Sequence, residues 1–271
     1  MKKLIALLMA VTMMLSLCAC GPSKATQDVI SKIDVLTGGE ITIDSENLIL
    51  EIDSAYQALS DKEKESVTNI TAFDEAKARF EFVKKNEEIL AELNENISKL
   101  GNLRAESVTE IDTAVEKINR QYNKLDDEFK EKATKYDDLE KYIADAIVTS
   151  VKALTKDSQT VLPSAILKGY GEYLSDSQKL TCLGNLGKAS CVNTVISDLK
   201  RRNSDKTFSI SNVRISSGNK FVEGENVVEG KITAYVTNVF GGGMSQTLDM
   251  YYTFDIDLEN CVVTGVSGFS Y

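Results

Sequence analysis

Histidine and tryptophan are both absent from the 271-residue sequence, and proline occurs only twice. Without histidine the chain cannot build a Ser-His-Asp or Cys-His triad, a histidine-ligated metal site or an imidazole proton shuttle. Basic residues are also scarce, with 31 Lys and Arg against 41 Asp and Glu. So acidic a surface repels a phosphate backbone, which argues against nucleic acid as a partner. Hydrophobic residues at 42% and charged residues at 27% are typical of a folded chain.

The first 20 residues, MKKLIALLMAVTMMLSLCAC, contain two lysines followed by an apolar run from Leu4 to Leu17. The run is too short and too close to the N-terminus for a typical transmembrane helix. A basic start and a short apolar run are typical of a secretory signal peptide. Residues 1–19 are therefore predicted to be a leader that is removed.

The end of this leader, Leu17-Cys18-Ala19-Cys20, resembles the lipobox of bacterial lipoproteins, which has a leucine, two small residues and then the modified cysteine. Cys20 matches the modified position, whereas Cys18 would put Leu17 at the cleavage site. The resemblance implies a diacylglyceryl group on Cys20 and an anchor on the extracytoplasmic face of the cell membrane, with residues 20–26 as a short tether. Two acyl chains hold a protein at a bilayer stably. The alternative is an ordinary signal peptide in which the cysteines occur by chance.

Residues 27–155 are predicted to be mainly α-helical, because apolar side chains recur at a spacing of three and four. Ser60 and Glu63 have the capping-box spacing that opens a short helix. A long helix is predicted from about residue 71 to residue 100, with Gly101 as its C-cap.

Two stretches of this region match without a gap at a shift of 66 residues. The clearest pairs are Ile52 with Ile118, Tyr56 with Tyr122, and Leu59 with Leu125. The match predicts a degenerate repeat of two helical units that stack to share a core. If the tyrosines are fully buried, replacing either by alanine should cost about 3–5 kcal/mol.

The string AYQALSDKEKESVTN at residues 55–69 resembles a helical repeat found in surface proteins of Gram-positive bacteria. The second copy keeps Tyr122, Leu125 and Lys130 but has Ala133 where the first has valine. In that family the repeats are spacers or adhesive modules, so the resemblance implies an architecture and no catalytic role.

Residues 156–271 are predicted to form a small α+β domain with an antiparallel β-meander. Short helices and loops are expected first, then one amphipathic helix around residues 192–199 with basic residues in its last turn. From Lys206 the apolar period changes to two, which indicates strands, with a bulge at Asn212 and a glycine-rich hairpin at residues 238–243. The helix should lie across one face of the sheet.

Residues 188–260 resemble, more faintly, a small domain of secreted proteins and lipoproteins of Firmicutes, in which a helix precedes strands and one strand ends in Asn-x-Phe-Gly-Gly. The sequence has Arg202-Asn203 where that pattern has Asn-Pro. The resemblance implies a fold and a location.

Asp255, Asp257 and Glu259 form the densest carboxylate cluster, and several oxygens together could hold calcium. The preferred interpretation is the solvated face of a half-buried strand. Gly241-Gly242-Gly243 lacks the Lys-Ser/Thr of a phosphate loop and indicates a tight turn. No catalytic, cofactor-binding or metal-ligating residue is assigned, and no cofactor is expected.

Three cysteines remain beyond the leader: Cys182, Cys191 and Cys261. A disulfide between the first two is possible, but buried apolar side chains are the preferred interpretation. Five tyrosines could line a sugar-binding surface, although the rim of a core is the preferred interpretation. They are Tyr170, Tyr173, Tyr251, Tyr252 and Tyr271.

The sequence therefore predicts a lipid-anchored extracytoplasmic protein that acts as a non-catalytic surface spacer or binds a cell-wall or envelope protein. One alternative is an envelope module whose C-terminal sheet binds wall glycan, peptide or a membrane complex, with Tyr235 and Tyr251 on a concave patch. The less favoured alternative is a carboxylate-based hydrolase of wall polymers, with two acids about 5–10 Å apart in a groove.

Overall fold

A computed structural model describes the backbone of residues 21–202, 209–215, 220–222, 227–237 and 245–270, and the side chains of 21–198, 200–201 and 253–267. This part of the chain contains ten α-helices followed by five β-strands. The predicted fold class, mainly α followed by a small α+β region with an antiparallel sheet, is confirmed. The chain divides into two compact units, one ending at Ile89 (unit 1) and one starting at Leu90 (unit 2).

Unit 1 is a helical block. It contains α1 (Lys24–Thr37), α2 (Glu46–Gln57), α3 (Asp61–Lys64) and the first part of α4 (Ile70–Gly101). Along α1, α2 and α4 a residue faces the core every three or four positions, as expected for an amphipathic helix. The buried residues include Val29, Ile33 and Leu36 of α1, Ile49 and Ile52 of α2, and Phe73, Ala76 and Phe80 of α4.

The short helix α3 begins with the predicted capping box. The backbone N–H and the hydroxyl of Ser60 both donate to the Glu63 carboxylate, at 3.0 and 2.7 Å. Shortly after α3, the Asn69 side-chain amide donates to the carbonyl of Ile30, at 2.9 Å, and to the carboxylate of Asp34, at 2.8 Å. These two bonds connect the start of α4 to α1.

Unit 2 begins with the rest of α4. It continues with α5 (Val108–Tyr122), α6 (Asp127–Lys130), α7 (Thr134–Asp137), α8 (Leu139–Lys156), α9 (Val161–Tyr170) and α10 (Asp176–Arg202). The bounds of α6 lie 66 residues after those of α3, which is the shift seen in the sequence. The repeat and the stacking of its two units stay predictions.

The long helix α4 ends one residue later than predicted. Gly101 is its last helical residue and not a C-cap beyond it. A Cβ at this position would stand 2.8 Å from the ring of Tyr142. The close approach of an aromatic ring from α8 therefore explains the glycine.

The prediction of short helices before residue 192 is corrected at α10, which is one helix of 27 residues. Its start is set by a capping box in which Ser175 N–H donates to the Gln178 side chain at 3.0 Å and Gln178 N–H donates to the Ser175 hydroxyl at 3.4 Å. Gly184 and Gly187 lie inside the helix and do not end it.

The strands form one antiparallel sheet. They are β1 (Ser209–Ile215), β2 (Lys220–Val222), β3 (Val227–Thr237), β4 (Ser245–Asp257) and β5 (Val262–Ser270). Strands β3, β4 and β5 pair in sequence order as a meander, and β1 and β2 pair with different parts of β3. The bulge predicted at Asn212 is confirmed by the register shift there. The predicted hairpin at residues 238–243 lies outside the described residues.

Helix α10 packs on the sheet through β1, β4 and β5, so the predicted helix across one face is confirmed. Phe254 of β4 is completely buried, and Ile256 is 3% exposed. A Cβ at Gly187 would overlap the ring of Phe254, so the helix backbone lies directly against this ring.

Ser150 of α8 is a completely buried polar side chain. Its hydroxyl accepts the backbone N–H of Ala105 at 2.8 Å and donates to the carbonyl of Ala146 at 2.7 Å. Ser150→Ala is expected to lower the free energy of unfolding by about 1–3 kcal/mol, because the buried N–H of Ala105 loses its acceptor. Urea denaturation would measure this, with the exposed Ser164→Ala as a control expected to change stability by less than about 0.5 kcal/mol. Equal midpoints for the two variants would contradict it.

Candidate functional site

Several residues singled out in the sequence lie outside the described residues. Cys20, the predicted lipidation site, is one of them. The same holds for the Gly241–Gly243 turn, and for the side chains of Tyr235, Tyr251, Tyr252 and Tyr271. The described part starts immediately after Cys20.

The contacts of the carboxylates at the end of β4 are those of a turn and do not indicate a cation site. Asp257 accepts from the backbone N–H of Asn260 at 2.9 Å and from its side-chain amide at 2.7 Å, and these bonds lower the pKa of Asp257. The Asp255 carboxylate lies against Gly265, which has a positive φ of 58° and where any Cβ would overlap that carboxylate. Among the residues with described side chains, no three acidic or cysteine groups come together as a metal site would need.

The two tyrosines whose side chains are described lie at the edge of the core. Tyr170 and Tyr173 are half-buried, with ring centroids 5.9 Å apart at 39°. The Tyr170 hydroxyl donates to the Asp112 carboxylate. Burial, and then this bond, raise the pKa of Tyr170. The interpretation as core-rim residues fits this geometry.

The three described cysteines are free and buried, as preferred from the sequence. Cys182 and Cys191 lie nine residues apart on α10, which separates them by about 13 Å along the helix axis, well beyond the reach of a disulfide. The disulfide alternative for this pair is therefore wrong. Burial raises the pKa of each of the two thiols to about 12, so both stay protonated at neutral pH.

A pocket of about 360 Å³ opens between the C-terminal part of α8 and the middle of α10, within unit 2. We call it the lysine pocket. It is lined by Lys152, Thr155, Lys156, Ser158, Asn185, Lys188, Ala189 and Val192. No described Asp or Glu lines it, although the chain has an excess of ten acidic residues.

The polar groups of the lysine pocket have few partners among the described residues. Lys152 and Lys156 are exposed, while Lys188 is half-buried, and burial lowers the pKa of Lys188. Within the described part of the chain, none of the three ammonium groups makes an ion pair. The Ser158 hydroxyl and the Asn185 side-chain amide make no hydrogen bond to described residues either.

The turn beside the pocket is held in an unusual backbone conformation. Ser158 follows the end of α8 with a φ of 58°, a region that non-glycine residues seldom occupy. The Asn193 side-chain amide donates to the Ser158 carbonyl at 2.8 Å, which holds this turn against α10. A hydrogen bond from another helix therefore supports the conformation that places Ser158 in the wall.

Two further pockets differ from the lysine pocket in charge. One, of about 260 Å³, combines Arg104 with Glu106 and Asp157. The other, of about 310 Å³ in unit 1, combines Lys77 with acidic residues of α2 and α4. The lysine pocket is thus the one among these three whose charged lining has a single sign.

Sequence reasoning missed the lysine pocket. Lys152 and Lys156 stand four residues apart on α8, which a helical interpretation places on one face. Lys188 is more than 30 residues further along the chain, and only the packing of α10 on α8 brings it to the same pocket.

A comparison with protein-family models gives no match, and comparisons with curated proteins and with solved structures give none either. Among the described helices, none combines the length and the apolar character needed to cross a bilayer.

Proposed function

We propose that the chain is a lipoprotein, held on the extracytoplasmic face of the membrane by a lipid on Cys20, and that it acts there as a non-catalytic spacer or partner-binding protein. The observation that carries this proposal is the Leu17-Cys18-Ala19-Cys20 sequence together with the described helix α1, which begins at Lys24. The absence of histidine from the chain favours a role without triad chemistry.

The tether between Cys20 and the folded part is very short. The Ser23 hydroxyl caps α1 by accepting from Thr26 N–H at 3.1 Å, and the Gln27 side chain donates to the Pro22 carbonyl at 2.9 Å. The folded structure therefore reaches back to Pro22. Two residues of extended chain span at most about 7 Å, so a lipid on Cys20 would hold α1 next to the bilayer surface.

Unit 1 has the features of a stiff block next to such an anchor. Lys32 of α1 bridges Asp28, at 2.8 Å, and Glu51 of α2, at 2.9 Å. Lys84 of α4 pairs with Glu46 of α2 at 2.8 Å. These surface pairs add little stability individually, but they connect helices that already share an apolar core. The resemblance of residues 55–69 to spacer repeats supports the same role.

Removal of both the lipid site and the apolar leader should release the protein from membranes. In bacteria that process lipoproteins, the parent and Cys18→Ala are expected in the membrane fraction with a diacylglyceryl group on an N-terminal Cys20 by mass spectrometry. Cys20→Ala should carry no lipid. A chain with residues 1–20 replaced by an ordinary cleavable signal peptide should be recovered in the soluble fraction.

The Cys20→Ala variant and the chain with the replaced leader distinguish attachment through the lipid from attachment through the apolar leader. The distinction is needed because an uncleaved leader could itself retain Cys20→Ala at the membrane. An unmodified Cys20 in the parent, or membrane retention of the chain with the replaced leader, would refute the anchor. Cross-linking on intact cells, with the released chain as control, then distinguishes the roles. A dominant partner that needs the anchor indicates a binding protein, and no enriched partner indicates a spacer.

A further inference from the structure

We propose that the lysine pocket is a binding site for a small anion that carries a phosphate group. This site goes beyond the proposed spacer or partner-binding role, which needs no small ligand. It rests on the convergence of Lys152, Lys156 and Lys188 from two helices on one pocket that no described carboxylate lines.

The charge pattern of the pocket is opposite to that of the chain. The protein carries a formal net charge of −10, so acidic partners for lysines are abundant elsewhere. Lys152, Lys156 and Lys188 line this pocket with no described carboxylate among them, so their positive charges add up there. The pocket therefore favours an anionic occupant by simple electrostatics.

The end of α8 explains only part of this cluster. Lys152 and Lys156 lie in the last two turns of α8, where the negative end of the helix dipole attracts cations. Lys188 lies in the interior of α10, between Asp176 and Arg202, so no helix end accounts for it. It is half-buried among Ala189, Val192 and the end of α8, where a cation without an acid costs free energy.

Phosphate fits the donors of the pocket better than a carboxylate does. A phosphate monoester carries about −1.5 to −2 charges at pH 7 and three acceptor oxygens. Lysine binds such groups as a compact point charge. The Ser158 hydroxyl and the Asn185 side-chain amide add two neutral donors that have no described protein partner, and a carboxylate would leave some of these five donors unused.

The volume limits the size of the occupant. About 360 Å³ lies at the lower end of small-molecule pockets, so a phosphate with a small organic group, such as glycerol phosphate or a sugar phosphate, fits. A long polyanion is disfavoured by the formal net charge of −10, whereas a small anion in the pocket mainly experiences charges within about 8 Å at physiological ionic strength. The phosphate could come from a free metabolite or from a lipid headgroup.

The test is calorimetric titration of the full-length protein in neutral nanodiscs with glycerol 3-phosphate, inorganic phosphate and acetate. We expect saturable binding of the phosphates and at least tenfold weaker binding of acetate. The variant K152Q/K156Q/K188Q should lose roughly tenfold or more in phosphate affinity, because it removes charge-assisted hydrogen bonds. The control K62Q/K124Q/K168Q removes the same charge at exposed positions outside the pocket and should stay within twofold.

The same variants in nanodiscs with phosphatidylglycerol distinguish the source of the phosphate. Binding of soluble phosphates that needs the pocket lysines indicates a free ligand. Failure of soluble phosphates, with a pocket-dependent increase in thermal stability on adding the anionic lipid, indicates a headgroup. Equal loss in both triple variants, or no response to any phosphate, would overturn the proposal. Lys188→Met, which keeps the apolar stem, replaces Lys188→Gln if the triple variant has a lower melting temperature.

Discussion

Replacing Ile52 or Ile118 by alanine is expected to lower the free energy of unfolding by about 2–5 kcal/mol in each case. Both side chains are completely buried, Ile52 in α2 of unit 1 and Ile118 in α5 of unit 2. Each substitution removes three carbon atoms from a packed core and leaves a cavity. The two positions also correspond at the 66-residue shift, so they test whether the two matching stretches depend on equivalent residues.

Hydrogen exchange during urea unfolding is the suitable measurement, because a chain with two compact units need not unfold in a single transition. Ile52→Ala should lower protection in unit 1, and Ile118→Ala in unit 2. Leu50→Ala in α2 is the matched control, since Leu50 is 59% exposed and should cost less than about 1 kcal/mol. A cost at Leu50 equal to that at Ile52 would contradict the orientation of α2.

The tyrosines of the same stripe should be less sensitive than the sequence predicts. Tyr56 and Tyr122 are half-buried, so the full-burial cost of about 3–5 kcal/mol does not apply to either. Tyr122 stacks on Tyr136, with ring centroids 3.7 Å apart. Tyr122→Ala should therefore lower the free energy of unfolding by about 0.5–1.5 kcal/mol more than Tyr56→Ala does. Tyrosine variants that cost as much as the isoleucine variants would mean that the tyrosines are buried as deeply as the isoleucines, which would contradict their half-buried positions.

Gly187→Ala is expected to destabilise the protein by about 1–3 kcal/mol, whereas Gly184→Ala should be neutral or stabilise it by up to about 1 kcal/mol. Both glycines lie inside α10, where alanine has the higher helix propensity. A Cβ at Gly184 meets nothing within 4 Å. A Cβ at Gly187 overlaps the completely buried ring of Phe254, so either the ring or the helix must move.

A double-mutant cycle decides whether this ring is the cause. Phe254→Leu alone should be destabilising, but combined with Gly187→Ala it should recover part of the loss, because the smaller side chain makes room for the added methyl group. Combined with Gly184→Ala it should show no coupling. Thermal melting of the five variants and the parent gives the stability change of each single and double variant, and from these the two coupling energies. The same sign for both glycine variants would refute the packing of α10 on β4.

Local features were predictable because they act over a few residues. The Ser60 and Glu63 capping box, the helical apolar spacing of residues 27–155, the strand of β4 and the bulge at Asn212 all follow from hydrogen bonds or side-chain periods within one element. The error at α10 concerned its length: the sequence predicted a helix only around residues 192–199, whereas the helix begins at Asp176, directly after the capping box of Ser175 and Gln178.

The sequence by itself determined the helix-to-strand order and the capping box of Ser60 and Glu63, since spacing and residue type are sufficient for these. Only the tertiary structure decided which distant residues come together: Gly187 lies against Phe254, Gly101 lies against Tyr142, and Lys188 lines the same pocket as Lys152 and Lys156. Such contacts join residues far apart in the chain. They depend on how helices pack on each other and on the sheet. The apolar period of a helix or strand shows which face is buried but not which other element covers that face.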